Sequence, residues 1–366
     1  MTPIAIAAVA GAVTLLLSLA LPFAVRPLLV RLGVMDVPNA RSSHARPVLR
    51  GLGLAVLLAL AAGGGLGAAL LALPENALPG ATTLVIVVAG SALAGALGLA
   101  EDLRGLSVRA RSALLIAIAL GASLALILSS REGDGSVPVV GGGAAFGWTG
   151  AAFTAGLPWW GLALLAVYAV LFISSYINVA NFMDGLNGIS GFHGVIAGLA
   201  FAAAGWLTAL PWLLIAGLVL AAGFGGFLPW NLSRRGAFLG DVGSYLLGGA
   251  VAVTSFAALV SGVPLLAAIG PMVIPFGDVA VTLVKRVRAG RRWDEPHKEH
   301  AYQRIQQLGY SHLQASGLAA GCTLLVSLLG LGSLFTGLIG TIALFLGGLA
   351  VLVCYLLLPR LLPERS

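Results

Sequence analysis

Eleven apolar runs, each long enough to cross a membrane, account for most of this chain. A helix needs about 20 apolar residues to traverse the hydrocarbon core. Runs of that kind cover residues 4–25, 51–73, 81–100, 112–130, 159–177, 189–206, 208–228, 243–261, 264–283, 313–334 and 336–358. Only 9% of residues are charged and 59% are hydrophobic, where a soluble chain carries about 25% charge. That composition excludes intrinsic disorder. The expected fold class is all-α: a polytopic integral membrane protein of about 11 transmembrane helices, one membrane domain over 1–366 with the lipid bilayer as its solvent. The first run reads as a retained helix, because Met1-Thr2-Pro3 lacks a basic n-region and the run is long for a signal h-region.

The charges carry an orientation. All of the 20 Lys and Arg except Arg131 fall after odd-numbered spans, on one face of the membrane. Basic loops stay cytoplasmic, so the N-terminus is expected outside and the C-terminus in the cytoplasm. The net charge of +7 then reads as topology plus a phosphate-handling surface. It does not read as a nucleic-acid footprint, which needs dense basic patches on a soluble domain. The outer loops are small and poor in charge, and Glu75, Glu132 and Asp134 there read as solvated surface acids. Cys322 and Cys354 lie in apolar runs and read as small core residues, with neither disulfide nor zinc spacing.

Acids at membrane depth are costly and usually functional. Glu101 and Asp102 end the third span, Asp184 lies between the fifth and sixth, and Asp241 opens the eighth. Three separate loops thus present carboxylates on the same face. Magnesium takes one or two protein carboxylates and completes its octahedron with water and phosphate oxygens, and nearby arginines can hold further phosphate charge. The candidate site is therefore built from loops 26–50, 101–111, 178–188, 229–242 and 285–312. Taken singly, each acid could equally be paired with a loop arginine.

Asn178, Asn181, Asp184 and Asn187 recur every three residues, with Gly185 and Gly188 between them. The series reads as a helix end running into a loop, where amides beside an acid suit a nucleobase, ribose or sugar, or simply cap the helix. With Pro296 in a first helical turn, His297 and His300 would share one face, with Arg304 a turn beyond, a cationic stripe suited to pyrophosphate. A third clear ligand for zinc is missing there. His193, inside an apolar run, reads as a satisfied core histidine, and His312 as a helix-start residue. The chain holds neither a G-x-x-x-x-G-K-[ST] phosphate loop nor a G-x-S-x-G nucleophile elbow.

At these residues the chain resembles the polyprenyl-phosphate N-acetylhexosamine-1-phosphate transferases, the integral-membrane superfamily that includes the WecA and MraY enzymes. The resemblance rests on Pro38-Asn39-Ala40-Arg41-Ser42-Ser43-His44 followed by Arg50-Gly51, on Glu101-Asp102, on Asn181-Phe182-Met183-Asp184-Gly185-Leu186-Asn187-Gly188, on Gly240-Asp241-Val242-Gly243-Ser244, and on Pro296 through Arg304. The last segment resembles the histidine-bearing loop of the branch that starts lipopolysaccharide O-antigen or similar glycans.

The resemblance implies transfer of a sugar-1-phosphate from a UDP-N-acetylhexosamine to undecaprenyl phosphate at the inner face of a bacterial cell membrane, releasing UMP. It implies Mg²⁺, with Mn²⁺ as substitute, held by Asp241 with Asp184. It makes Asp102, Glu101 and Asp184 the candidate catalytic residues, with Asp102 ahead of Glu101 as base or electrostatic orienter. Arg50, Asn181, Asn187, Asn231, His297, His300 and Arg304 become candidate substrate ligands. Glu101 departs from the family's Asp at that position, and the extra methylene shifts its carboxylate at a geometry-sensitive site. A homodimer stays open. So do two rival readings, a lipid or glycolipid transporter and a non-catalytic member of the same fold. A transporter would place acids near mid-membrane and show pseudo-repeats.

Overall fold

The computed structural model describes residues 1–36, 48–76, 78–132, 154, 156–233, 237–292 and 297–365, with the side chains of 35, 36, 48 and 132 outside that set. Its helices are α1 (Pro3–Arg31), α2 (Gly53–Ala72), α3 (Ala81–Arg104), α4 (Val108–Glu132), α5 (Trp159–Met183), α6 (Ile189–Leu207), α7 (Pro211–Asn231) and α8 (Gly240–Val260). There follow α9 (Leu265–Ile269), α10 (Val273–Arg288), α11 (Ala301–Gln307), α12 (His312–Gly332) and α13 (Leu338–Leu361). Among the described residues, 11 helical segments are long and apolar enough to cross a membrane, matching the expected number. Large apolar side chains such as Phe23, Leu171 and Ile339 lie exposed on the outside of the bundle, a surface that only lipid would cover.

Several helices depart from the bounds read in the sequence. Helix α1 runs on to Arg31, through Pro22 and Pro27. Helix α3 continues to Arg104, so Glu101 and Asp102 sit on its last helical turn and not in a loop. The ninth span is broken: a 3-10 turn at Gly270–Met272 separates α9 from α10, because Pro271 supplies no backbone N–H for a continuous helix. A short connection over residues 261–264 joins α8 to α9. The only strands among the described residues are β1 (Met35–Asp36) and β2 (Val48–Leu49), an antiparallel pair with Met35 opposite Leu49.

Helix α8 is the axis of the bundle. Of its apolar stretch 94% is buried, against 11% for α13. It packs on α3 and α5, while α7 packs on α6 and α1. Without a hydrophobic force between helices in lipid, small residues at the crossings let backbones approach and gain dispersion contacts. Gly98 shows the point: a methyl added there would lie 2.1 Å from the Asp241 carbonyl oxygen. The absence of a side chain at 98 is what lets the first turn of α8 sit against the last turns of α3. Gly240 opens α8 with φ +76°, a left-handed conformation that a Cβ disfavours.

Gly98→Ala is therefore expected to destabilise the protein by about 1–3 kcal/mol through overpacking, read as a lowered thermal-unfolding midpoint in detergent. Gly65→Ala is the control, since a methyl there meets nothing within 4 Å. Equal midpoints for the two variants would refute the packing account.

Candidate active site

Arg50 reaches the site because backbone hydrogen bonds stitch its segment to the entrance of α8. The Phe238 amide donates to the Leu49 carbonyl (2.8 Å), the Leu52 amide to the Phe238 carbonyl (3.2 Å) and the Gly53 amide to the Leu239 carbonyl (2.9 Å). The guanidinium then bridges two acids from different helices, with Nε 2.9 Å from Asp102 Oδ1 and Nη2 2.8 Å from Asp241 Oδ2. Asp102 is also the acceptor for the Val242 amide at the start of α8 (2.9 Å). An anion at a helix N-terminus is favourable, as the first amides there have no partner within the helix.

The two acids differ in access. The Asp102 side chain is 1% exposed and that of Asp241 19%. Asp102 is thus a buried carboxylate spent on Arg50 and on the end of α8, whereas Asp241 faces a partly open space. Asn181, on the last turns of α5, donates to Asp241 Oδ1 (2.8 Å) and to Ser244 Oγ (3.0 Å). Asp184 is the C-cap of α5, so the Asn-rich series does run from helix into loop. Its Oδ1 accepts the Ser190 hydroxyl (2.7 Å). Burial pushes the Asp184 carboxyl up to about 6; the Ser190 hydrogen bond and Arg50 oppose the rise, and the charges of Asp241 and Asp102 add to it. Asp102, Asp184, Asp241 and Arg50 therefore form one electrostatic unit.

Glu101, one residue from Asp102, is committed elsewhere. Its Oε2 accepts the Leu106 amide (2.9 Å) and its Oε1 pairs with Arg111 (3.4 Å), which fastens the α3–α4 turn. Its longer side chain serves that turn. Asn231 is buried and acts as a pin, accepting the Gly188 amide and donating to the Ala237 carbonyl (3.0 Å). Both of its polar ends are engaged within the protein. Asn187 is different: among the described residues its Oδ1 is a buried acceptor with no partner. Its carbonyl accepts the Ser316 hydroxyl (2.9 Å), and its amide faces His312 Nδ1 at 3.4 Å, His312 being the first residue of α12 as expected.

The histidine loop packs beside this unit. The helix begins at Ala301 with His300 as its N-cap, so His297 precedes it. The expected shared helical face of His297, His300 and Arg304 is corrected accordingly, because the N-cap leaves the helical path. The two rings are nonetheless brought together, centroids 4.9 Å apart. Burial, followed by the His300 and Arg286 charges, holds the partly exposed His297 ring below the usual histidine range. Tyr302, on α11, donates to the Phe182 carbonyl (3.2 Å), two residues from Asp184. Arg304 is partly buried on the same helix.

The sequence reading missed Asp278, a fully buried acid of α10 whose carboxylate holds the start of α11. The signal was an acid inside the apolar run 264–283. It also missed Arg286, buried and bonded to the Arg292 carbonyl (2.8 Å) and to Glu299. His193 is half satisfied as a core residue: Nε2 lies 2.8 Å from the Tyr176 hydroxyl, and Nδ1 has no partner among the described residues. Residues 38–44 and Pro296 fall outside the described set. Among the described residues no three His, Cys, Asp or Glu form a metal-holding group. Asp184 and Asp241 make a set of two, all hard oxygen donors, which is the number and kind that Mg²⁺ takes from a protein when phosphate and water supply the rest.

A multi-pass membrane bundle with three carboxylates and an arginine gathered at helix ends is the class that fold and site define. The model of the family Glycosyl transferase family 4 matches residues 84–259, which carry all three acids. A phospho-N-acetylmuramoyl-pentapeptide-transferase of Symbiobacterium thermophilum is 30% identical over 269 residues, 70% of this chain and 73% of the relative. A decaprenyl-phosphate N-acetylglucosaminephosphotransferase of Mycobacterium tuberculosis (strain CDC 1551 / Oshkosh) is 28% identical over 92% of this chain and 85% of its own. A probable undecaprenyl-phosphate N-acetylglucosaminyl 1-phosphate transferase of Bacillus subtilis (strain 168) is 26% identical over 83% and 78%. The chain belongs to this family of polyprenyl-phosphate phospho-sugar transferases.

Because Asn231 pairs a backbone donor and a backbone acceptor, Asn231→Ala leaves both without a partner and is expected to cost about 1–3 kcal/mol. Thermal unfolding of the purified variant measures it, and an unchanged midpoint would remove the pin from the account of how this site is held.

Proposed function

We propose that this protein transfers N-acetylhexosamine-1-phosphate, or a deoxy relative, from a UDP-sugar to undecaprenyl phosphate, giving the lipid-linked diphospho-sugar and UMP, and so initiates a cell-surface glycan. In this reading the chain sits in the bacterial cell membrane with its acidic unit facing the cytoplasm, where UDP-sugars are. The observation that carries it is the Arg50 bridge between Asp102 and Asp241 beside Asp184. The named activities of the relatives point the same way.

Phosphoryl transfer asks for in-line positioning and charge neutralisation more than for covalent chemistry. An oxygen of the lipid phosphate forms a bond to the sugar-bearing phosphorus of the donor. The bond from that phosphorus to the bridging oxygen breaks, and UMP leaves with that oxygen. Asp241 and Asp184 would hold Mg²⁺, with Mn²⁺ as substitute, and the cation supplies charge neutralisation on the diphosphate. Arg50 has a 37% exposed side chain, so it can meet a phosphate while Asp102 steadies it from the buried side. That makes Asp102 an orienter acting through Arg50. In this reading Asn187 lies on the nucleotide side, and the partly exposed His297 and Arg304 take the sugar-phosphate end with the buried His300 behind them.

Mg²⁺-dependent release of UMP from UDP-N-acetylglucosamine, N-acetylgalactosamine and 6-deoxy relatives in the presence of undecaprenyl phosphate tests the proposal. A folded protein that releases none from any of them would sink it. Asp241→Asn is expected to lower kcat by about 10³-fold or more with folding intact, as expected when a site loses its principal charge ligand. Activity that survives that change refutes the metal role.

The pH dependence follows from Asp184. With its carboxyl raised to about 6, it is ionised above that pH and protonated below it, and a protonated acid does not ligate a cation. Apparent Mg²⁺ affinity should thus fall by about tenfold per pH unit below 6. Asp184→Asn should flatten that slope. A slope unaffected by the substitution would assign the titration to another group.

A further inference from the structure

Asp278 lies near the middle of the ninth span, Leu265–Arg288, and is fully buried. A fully buried acid is retained only with partners that satisfy it. Four donors converge on it. The Ala301 amide reaches both carboxylate oxygens (3.1 and 3.0 Å), the Tyr355 hydroxyl donates to Oδ2 (2.8 Å), the Thr282 hydroxyl to Oδ1 (3.2 Å), and His300 Nδ1 lies 3.4 Å from Oδ1. Thr282 belongs to α10 itself. The other partners come from the start of α11 and from α13, so a single carboxylate ties three elements together.

We infer that Asp278 is a positioning residue for the sugar-phosphate end of the donor, acting through His300 and the first turn of α11. The inference deepens the transferase reading and rests on it for the role of His300 and Arg304. The Asp278 oxygens already accept from the Ala301 amide and from the Thr282 and Tyr355 hydroxyls, so the carboxyl faces His300 Nδ1 as an acceptor and that nitrogen carries the proton. The buried ring is thereby held with Nε2 on the side away from Asp278, and its plane is set. A carboxylate behind a ligand-bearing histidine fixes tautomer and orientation in this way wherever the pair occurs. The placement is passed on, since Tyr302 stacks on His300 at 5.9 Å and hydrogen-bonds the Phe182 carbonyl beside Asp184. Tyr355 extends the device to the last span. Helix α13 supplies none of the motif residues, yet its fully buried tyrosine holds the carboxylate that holds the loop.

Two variants separate positioning from a general role in folding. Asp278→Asn keeps the size but loses the charge and one acceptor. It should raise the donor KM by about 10-fold, with kcat and the undecaprenyl phosphate KM within about twofold of wild type. Tyr355→Phe keeps the carboxylate and removes one remote donor, so the donor KM should rise about threefold, again with the acceptor KM unchanged. Amide hydrogen exchange over Ala301–Gln307 should quicken in both, with the start of α8 unaffected. If Asp278→Asn does not fold, Tyr355→Phe decides. An unchanged donor KM in a folded variant overturns the inference, and so does a parallel rise in both KM values with faster exchange across α8. A wild type that turns over no UDP-sugar sinks the transferase reading alone. The anchoring of α11 is then judged by exchange, supported if 301–307 quicken and overturned if they do not.

Discussion

The site depends on one guanidinium between two carboxylates. Asp102 and Asp241 are delivered by different helices to the same arginine, and like charges brought to one site repel. Arg50 turns that repulsion into two attractions. Its planar fork can meet both acids at once, which a lysine ammonium on a flexible stem does less well. The Val242 amide absorbs the remaining demand of Asp102, so the charge that anchors the arginine is itself fixed by the end of α8. Everything nearby is arranged around that cluster: Asn181 on Asp241, Ser190 on Asp184, and the α11 loop fastened behind.

The bundle exists to bring those ends together. Three carboxylates must meet although they are separated by about 140 positions of sequence, from Asp102 to Asp241. The lipid solvent forbids irregular exposed backbone, so the meeting point can only lie where helices stop. Helix α8 serves as the common wall, and residues without side chains at its crossings set how near the stops can come. The break at Gly270–Met272 has a related use, since it lets the ninth span present Asp278 to the α11 loop and to α13.

Much of this was legible in the chain. Asp102, Asp184 and Asp241 stood out because charge is scarce, and the structure brings Asp102 and Asp241 to one arginine at helix ends. Asn181, read in sequence as one of the amides beside Asp184, hydrogen-bonds Asp241 on another helix. Other features were hidden for physical reasons. Glu101 and Asp102 look like a matched pair in sequence, but successive residues on a helix point about 100° apart. One faces the α3–α4 turn and the other the buried Arg50. Asn231 has the composition of a ligand and the geometry of a pin. His297 and His300 were separated by a helix start that the residues around Pro296 do not announce.

Sequence alone determined the number of spans, the identity of the acids and the family, since hydropathy over about 20 residues and short motifs are local properties. Tertiary structure alone decided which acid is buried and which is open, that Arg50 joins them, and that Asp278 holds the histidine loop. Those depend on distances between residues far apart in the chain. Such distances are set by how helices pack, and no local pattern of residues records them.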